Sequence, residues 1–361
     1  MAEEVPVSHM KALCVLGLSL ALWPTFLYAE TTLPCRQPQV AAAGSEVYVA
    51  CGTADAILVA RSSNGGHDFA APITVATVTG LALGGHRGPR VVIAGDALVV
   101  TAVVGKPGVT GGGSGDLVAW RSLDTGLTWT GPMVINDVPD AAREGLHAMA
   151  SRGRTIAVAW LDLRAKGTRL YMAVSNDAGV TWGTDELAYQ SPTGTICQCC
   201  HPSLAVADDR AIVVMFRNEQ NGLRDMYVTR RQAGHFTPAQ KVGSGSWALA
   251  ACPMDGGGVV VDDRGVITTT WRRDQTVYLA QPGKSEKAVG TGVNPAIALG
   301  PGGPYVAWNA AEGLSLRGPG DRKPMVIDAQ GKFASLATGA GSVIVAYESG
   351  SSSVVGVVTP N

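Results

Sequence analysis

The cysteines of the chain are concentrated in Cys197-Gln198-Cys199-Cys200-His201-Pro202, and a further one follows in Cys252-Pro253-Met254. Three thiols this close together cannot easily pair with one another, because adjacent cysteines close a strained ring and the Cys-x-Cys spacing is nearly as tight. Thiolate, thioether and imidazole groups together form a soft ligand set, which favours Cu(I), with Zn(II) next. The candidate metal ligands are Cys197, Cys199, Cys200, Cys252, His201 and Met254.

Disulfide bonding is the second interpretation of these cysteines. Six cysteines remain when residues 1–29, which have the pattern of a signal peptide described below, are left aside. An even number of cysteines in an exported protein favours disulfides. The pairs that this interpretation predicts are Cys35 with Cys51, and Cys252 with one of the clustered cysteines. Metal binding and disulfide bonding both stay open at this stage, and the two can coexist. Met254, taken alone, is more typical of core packing than of ligation.

The N-terminus has the pattern of a signal peptide. Lys11 precedes an apolar run from Ala12 to Leu27, and Leu27-Tyr28-Ala29 has the small residues of a cleavage site. The run is shorter than the roughly 20 residues needed to span a membrane. We expect residues 1–29 to be a signal peptide, with residues 1–9 an additional polar segment before an alternative start at Met10. The mature chain, without a transmembrane span, would then be periplasmic or secreted.

Charge and composition exclude several classes of partner. The chain has 361 residues with Lys+Arg 28 and Asp+Glu 29, so no excess of positive charge is available for nucleic acid or an anionic membrane. A hydrophobic fraction of 46% is ample for a large core, and no linker interrupts residues 30–361, which predicts a single domain. The partners to expect are a metal ion, a small molecule or a glycan, or another exported protein.

An internal repeat indicates the fold class. Each copy is an alternating run rich in β-branched residues, which is typical of a strand, and a shorter apolar run and a turn precede it. The copies are EVYVACG (46–52), ALVVTAVVG (97–105), TIAVAWLD (155–162), AIVVMFRN (211–218), VITTTWRR (266–273), PYVAWNA (304–310) and VIVAYES (343–349).

Two turns after these repeats fit the pattern S-x-D-x-G-x-T-W, and a third, at 62–69, is a degenerate copy. In this pattern the aspartate caps a tight turn, the glycine takes a positive φ and the tryptophan packs between strands. The motif residues are Ser122, Asp124, Gly126, Trp129, Ser175, Asp177, Gly179 and Trp182. The pattern resembles the Asp-box (BNR) repeat of the bacterial sialidases, and the resemblance implies an all-β propeller with these turns on its rim, away from any active site.

Seven repeats predict seven blades, with six, as in the sialidases, the alternative. The last repeat is incomplete, and the segment Thr31–Arg36 could supply its outer strand. The loops that precede the innermost strands of a propeller open onto one face near the axis, so their residues should converge there. These residues are Cys35, Arg36, His86, Arg87, Arg90, Glu144, His147, Asn294 and Lys332, together with the six candidate ligands.

The resemblance also implies a second function, that of an exo-acting glycoside hydrolase of the sialidase type. Sialidases bind a carboxylate through three arginines and use a tyrosine, activated by a glutamate, as nucleophile. The candidate catalytic residues are Arg87, Glu144, Tyr347 and Glu348, and the further arginines considered are Arg217 and Arg272. The Phe-Arg-Ile-Pro signature is absent, so we expect little or no sialidase activity.

The favoured interpretation is therefore an exported, non-hydrolytic protein that binds copper, with zinc the less favoured metal. A propeller that serves as a scaffold for protein partners is the remaining alternative, since fold does not determine function. The pairs Asp162/Arg164 and Arg224/Asp225 are interpreted as rim salt bridges or turn caps.

Overall fold

The computed structural model of the protein describes residue 1 and residues 30–105 and 113–359. Regular secondary structure in these ranges consists of strands alone, and none of it is a helix long and apolar enough to cross a membrane. The predicted signal peptide lies outside the described ranges, apart from residue 1.

Five of the sheets contain four or five antiparallel strands each. The first contains β2 (Arg36–Ala43), β3 (Glu46–Gly52), β4 (Ala56–Ser62) and β5 (Ile73–Thr77). The next in chain order contains β14 (Ser203–Val206), β15 (Ile212–Arg217) and β16 (Met226–Gln232), with β17 (His235–Phe236) and β18 (Gln240–Lys241) both paired to β16. Two more contain β19 (Gly257–Val261), β20 (Ile267–Arg273), β21 (Thr276–Ala280) and β22 (Lys287–Thr291), and then β23 (Val293–Gly300), β24 (Gly303–Ala310), β25 (Gly313–Arg317) and β26 (Met325–Asp328). The last contains β27 (Lys332–Gly339), β28 (Ser342–Ser349), β29 (Ser352–Val358) and, from the other end of the chain, β1 (Glu30–Leu33).

A sixth sheet has eight strands and is built from two four-stranded halves. One half contains β6 (Arg90–Ala94), β7 (Ala97–Gly105), β8 (Ser114–Ser122) and β9 (Thr130–Val134). The other contains β10 (Ala142–Arg152), β11 (Thr155–Asp162), β12 (Arg169–Ser175) and β13 (Glu186–Tyr189). The halves join where Ala142 and Arg143 of β10 pair with Gly115 and Ser114 of β8.

The arrangement is a β-propeller. The strands β2, β6, β10, β14, β19, β23 and β27 contact one another in a closed ring, and each begins its own unit of four or five strands. The ring is closed through the chain ends, because Thr31 of β1 pairs with Val355 of β29. The expected outer strand is thus confirmed, and such closure leaves no free edge between the two ends of the chain.

The repeated sequence runs form the second strand of each unit, as the pattern predicts. These strands are packed between neighbouring sheets on both faces, which is why they are continuously apolar. Every residue of β11, for example, is buried. Trp160, Phe216 and Trp308 from three of these strands are among the largest fully buried side chains, and burial of one such side chain contributes about 1.5–3 kcal/mol.

Six of the seven ring strands have a non-glycine residue in the left-handed region of φ, either within their first three residues or a few residues before they begin. These residues are Gln37 (55°), His86 (62°), Glu144 (50°), Met254 (54°), Asn294 (56°) and Phe333 (54°). A left-handed residue changes the direction of the backbone locally, and the pairing register of four of these strands shifts at the left-handed residue. Strained backbone of this kind tends to cluster at functional sites, and here it surrounds one end of the axis.

A disulfide connects Cys35, just before β2, with Cys51 of β3. This pair is the one that the disulfide interpretation predicts for the N-terminal half of the chain. The remaining cysteines among the described residues, Cys197, Cys199, Cys200 and Cys252, are free.

The turns of the S-x-D-x-G-x-T-W segments are held by their own side chains. The carboxylate of Asp177 accepts hydrogen bonds from the backbone N–H and the hydroxyl of Thr181, and Ser175 Oγ accepts one from the N–H of Gly179. The turn at Asp124 is built in the same way, and Asn64 takes the aspartate's place in the degenerate copy. Their contacts are those of structural turns.

Candidate functional site

Three of the candidate ligands form a compact group, which we call the cysteine cluster: Cys197, Cys199 and Cys200. The Sγ atom of Cys197 lies 3.8 Å from that of Cys199 and 3.0 Å from that of Cys200. All three side chains are buried, and their sulfurs lie within 4.8 Å of one another. Among the described residues, no other set of three His, Cys, Asp or Glu side chains brings its ligand atoms this close together.

The cluster is held in place by the end of β15. Ile196 forms a bridge with Asn218, and the N–H of Cys197 donates to the carbonyl of Arg217 at 3.0 Å. The loop after β13 therefore pairs with the end of β15 through Ile196 and Cys197, and this pairing fixes the position of the cysteines that follow. Pro202 then fixes the backbone before β14 begins.

Cys252 lies on the next sheet's loop and approaches the cluster from outside. Arg224 links the two loops, because it donates to the sulfur of Cys197 and to the carbonyl of Leu249, three residues before Cys252. Cys252 is the exposed member of the four free cysteines. Met254, two residues later, is 43% exposed. The two cysteine loops are therefore neighbours, and the three sulfurs of the cluster converge; the convergence of the Cys252 sulfur with them stays a prediction.

Arg224 places a positive charge beside Cys197. Nη1 of Arg224 donates to the sulfur of Cys197 at 3.1 Å. Of the two roles expected for Arg224 and Asp225, a salt bridge or a turn cap, the salt bridge between them is wrong. Asp225 pairs with Lys241 instead, at 2.8 Å. Spacing alone could not reveal this, because neighbouring side chains on a strand or loop point in different directions.

The protonation of the thiols is unequal. Hydrogen bonds from Cys199 and Cys200, with the charge of Arg217, lower the pKa of Cys197. Interaction with Cys197 raises the pKa of Cys199, and burial, above all, raises that of Cys200. One thiolate, at Cys197, stabilised by two neighbouring thiols, is the form that this arrangement favours.

A buried ion pair shapes the loop that carries Cys252. Asp255 is fully buried and accepts hydrogen bonds from Nε of Arg272 and from the N–H of Asn294. Arg272 also donates to the carbonyl of Pro253 at 2.9 Å. Arg217 donates to the carbonyl of Asp255 at 3.2 Å, so the same network joins the Cys252 loop to the cluster.

Beside the cluster, the inner-strand loops surround a cavity of about 210 Å³, which we call the axial pocket. Its polar and aromatic lining consists of Gln37, Gln39, His86, Arg87, Arg90, His147, His201, Ser203, Ser335 and Phe333. The predicted convergence of His86, Arg87, Arg90 and His147 on one face is confirmed by this lining.

The ring of His201 belongs to the axial pocket. It stacks on His86 with the ring centroids 4.1 Å apart, and Nε2 of His86 donates to Oδ1 of Asn294 at 2.8 Å. His201 is not in the group of ligand atoms that the three sulfurs form. Burial lowers the pKa of both histidines, so both rings are neutral at neutral pH.

His147 is also buried at this pocket. Its Nδ1 donates to the carbonyl of Gly145 at 3.2 Å, and its Nε2 lies 3.1 Å from the hydroxyl of Thr101. Burial, together with the charge of Arg90, lowers the pKa of His147 to about 3.

The residues that the sialidase resemblance singles out do not meet in one place. Glu144 pairs with Arg87 at 2.5 Å and with Arg143 at 2.7 Å. Tyr347 is fully buried, and its hydroxyl donates to Glu30 at 3.3 Å. Glu348 is fully buried as well and pairs with Arg36.

Arg217 and Arg272 lie away from the axial pocket. Arg217 donates to the carbonyls of Asp255, Arg224 and Arg272, and both guanidinium groups face the ring of Trp247, at 5.2 and 5.1 Å. Both arginines therefore support the loops that carry the cysteines. The pair of Asp162 and Arg164 is a salt bridge that also caps a turn, as predicted.

Comparison with known proteins identifies the fold alone. No family model matches the chain, and no curated protein matches it. Among solved structures, an α-L-arabinanase from Penicillium chrysogenum, complexed with arabinobiose, has a TM-score of 0.55 at 13% identity, with 93% of this chain and 98% of that one covered. A Hadza microbial sialidase has a TM-score of 0.53 at 14% identity, covering 88% and 74%. A polysaccharide lyase has a TM-score of 0.56 at 9% identity, covering 90% of each chain. The chain thus has the propeller scaffold found in sialidases, an arabinanase and polysaccharide lyases.

Proposed function

We propose that the cysteine cluster and Cys252 together bind a soft metal ion, with Cu(I) favoured and Zn(II) second. One observation carries the proposal: three buried thiols converge within 4.8 Å. The loop of a fourth cysteine, Cys252, is joined to them through Arg224. Thiolates are the protein ligands that Cu(I) and Zn(II) prefer.

The size of the cluster suits a metal. With metal–sulfur bonds of about 2.3 Å, the sulfurs of a tetrahedral site lie about 3.8 Å apart. The Cys197–Cys199 separation is already 3.8 Å, and the Cys197–Cys200 separation of 3.0 Å would have to widen by about 0.8 Å.

The charge around the cluster supports the same assignment. Two or three thiolates around a monovalent ion leave a net negative charge, which is costly to bury without compensation. Arg224, 3.1 Å from Cys197, and Arg217 supply that compensation. Cu(I) bound in this way would also protect the thiols in an oxidising compartment, which fits the export that we propose for the chain.

Met254 is the further ligand that could reach a metal from the exposed loop. His201 is left out of the proposed set, because its ring stacks on His86 in the axial pocket. We infer further that the two halves of the eight-stranded sheet are separate blades, which makes seven, one for each repeat and each ring strand.

The test is a competition between the protein and a colorimetric Cu(I) chelator, under anaerobic conditions. Cys199→Ser and Cys200→Ser should each weaken Cu(I) binding by at least about tenfold, since each removes a thiolate ligand. Gln198→Ala is the matched control, because this exposed residue lies between Cys197 and Cys199 and offers no sulfur. If both serine variants keep the wild-type stoichiometry and affinity, the cluster is not a copper site.

A second candidate is a glycan-active protein, and the axial pocket with its two arginines favours it. Hydrolysis of the sialidase type is not what we propose, because Tyr347 is fully buried and a nucleophile must reach the substrate. A fluorogenic sialoside should therefore not be turned over. Turnover by the wild type that Tyr347→Phe abolishes would make the hydrolase the correct assignment.

A further inference from the structure

The cysteine cluster contains a Cys-x-x-Cys pair whose two sulfurs are nearly in bonding contact. The Sγ atoms of Cys197 and Cys200 are 3.0 Å apart, about 1 Å more than a disulfide bond. The two side chains belong to one loop, so closing this gap needs no movement of one sheet against another.

The four thiols also differ in access. Cys252 is exposed, whereas Cys197, Cys199 and Cys200 are at most 8% exposed. Cys199 is the least buried of these three, at 8% exposed, and its sulfur lies 3.8 Å from that of Cys197. The exposed Cys252 lies on the segment that Arg224 joins to the cluster, since Arg224 donates to the carbonyl of Leu249 and to the sulfur of Cys197.

We propose that the metal-free cluster is a thiol–disulfide exchange site that takes small disulfides as substrates, with Cys252 as the point of attack and a Cys197–Cys200 disulfide as the product. This activity goes beyond metal binding and does not depend on it.

The exchange proceeds in balanced steps. The thiolate of Cys252 attacks one sulfur of the small disulfide, so that a mixed disulfide forms and one small thiol leaves. Cys199 attacks the Cys252 sulfur and releases the second small thiol. Cys197 then attacks Cys199, which frees Cys252, and Cys200 attacks Cys197, which frees Cys199.

The net reaction oxidises two protein thiols to one disulfide and reduces one small disulfide to two small thiols. The proton lost by each attacking thiol is taken up by the thiolate that leaves. The product is the Cys197–Cys200 bond because the Cys-x-Cys ring through Cys197 and Cys199 is the more strained one. Formation of this bond would remove two of the proposed metal ligands, so the two uses of the cluster exclude each other.

The experiment uses the mature chain, reduced and freed of metal with a chelator, and glutathione disulfide as the probe. Samples are quenched with acid and alkylated, and the disulfides are located by peptide mass spectrometry. The wild type should lose two thiols per chain, release two equivalents of glutathione and form the Cys197–Cys200 disulfide. Cys252→Ser should react at least about tenfold more slowly, since the remaining sulfurs are shielded.

Two further variants make the result decisive. Cys200→Ser should start at the wild-type rate and stop at a Cys199–Cys252 disulfide or a glutathione adduct. Gln198→Ala should match the wild type in rate and product. A Cys252→Ser variant that folds normally by circular dichroism and reacts at the wild-type rate would overturn the proposal, as would a wild-type product other than Cys197–Cys200. Because the assay contains no metal, its failure leaves the copper proposal intact, and failure of copper binding leaves this one intact.

Discussion

Replacement of Asp255 by asparagine tests whether the buried ion pair supports the cysteine site. The carboxylate of Asp255 is fully buried and pairs with Arg272, which is 9% exposed. Arg272 in turn donates to the carbonyl of Pro253, beside Cys252. Asp255→Asn keeps the size of the side chain and can still accept the hydrogen bond from Asn294, but it leaves the guanidinium without its counter-charge.

The expected loss in the free energy of unfolding follows from this burial. Removal of one partner of a buried ion pair costs about 3–5 kcal/mol, because the remaining charge stays uncompensated in a medium of low polarity. Solvent screens this pair little, since both side chains are nearly inaccessible. The loop that carries Cys252 should also loosen, so Cu(I) affinity should fall along with stability.

Two measurements are made at neutral pH. Stability is measured by urea denaturation, and Cu(I) affinity is measured by the chelator competition in buffer without urea. Asp96→Asn is the matched control, because Asp96 pairs with Arg154 at the surface, with side chains 70% and 55% exposed. This exposed pair should contribute almost nothing measurable. If Asp255→Asn unfolds at the same urea concentration as the wild type, the ion pair does not hold the loop, and the account of how the site is positioned is wrong.

Three further changes have defined outcomes. Ser175→Ala removes the hydroxyl that holds its turn and should lower the free energy of unfolding by about 1–2 kcal/mol in urea denaturation; no change would contradict the structural role of the turn. The pKa of His147 is lowered to about 3 by burial, so the unfolded chain binds the proton first as pH falls below about 6.5; His147→Gln should reduce the loss of stability between pH 7 and pH 4.5 by about 2–3 kcal/mol, and equal losses would refute this. Arg224→Met removes the cation beside Cys197 and should weaken Cu(I) binding roughly tenfold, allowing for solvent screening, whereas unchanged affinity would show that the charge is not used.

The propeller fold and the positions of its second strands could be predicted from the sequence, because each repeat marks one strand. The runs 46–52, 97–105 and 155–162 coincide with β3, β7 and β11, and the missing outer strand was correctly placed near Thr31. Strand periodicity and turn chemistry are local properties, so the sequence carries them directly.

The details of the site were less accessible. Spacing predicted that the cysteine loops would converge, since equivalent positions of a propeller meet at one face. It could not predict that Arg224 would contact Cys197 or that His201 would stack on His86. Those contacts depend on side-chain rotamers and on left-handed residues such as His86, Met254 and Asn294, for which no glycine marks the position.

The central claim, that the cysteine cluster holds a soft metal, is tested most directly by elemental analysis of protein purified without oxygen, combined with a count of free thiols after unfolding. We expect about one copper ion per chain, or zinc as the second choice, and four thiols that become reactive once the metal is removed, from Cys197, Cys199, Cys200 and Cys252. Protein that contains neither metal, and in which the cluster sulfurs are already joined in disulfides, would contradict the claim.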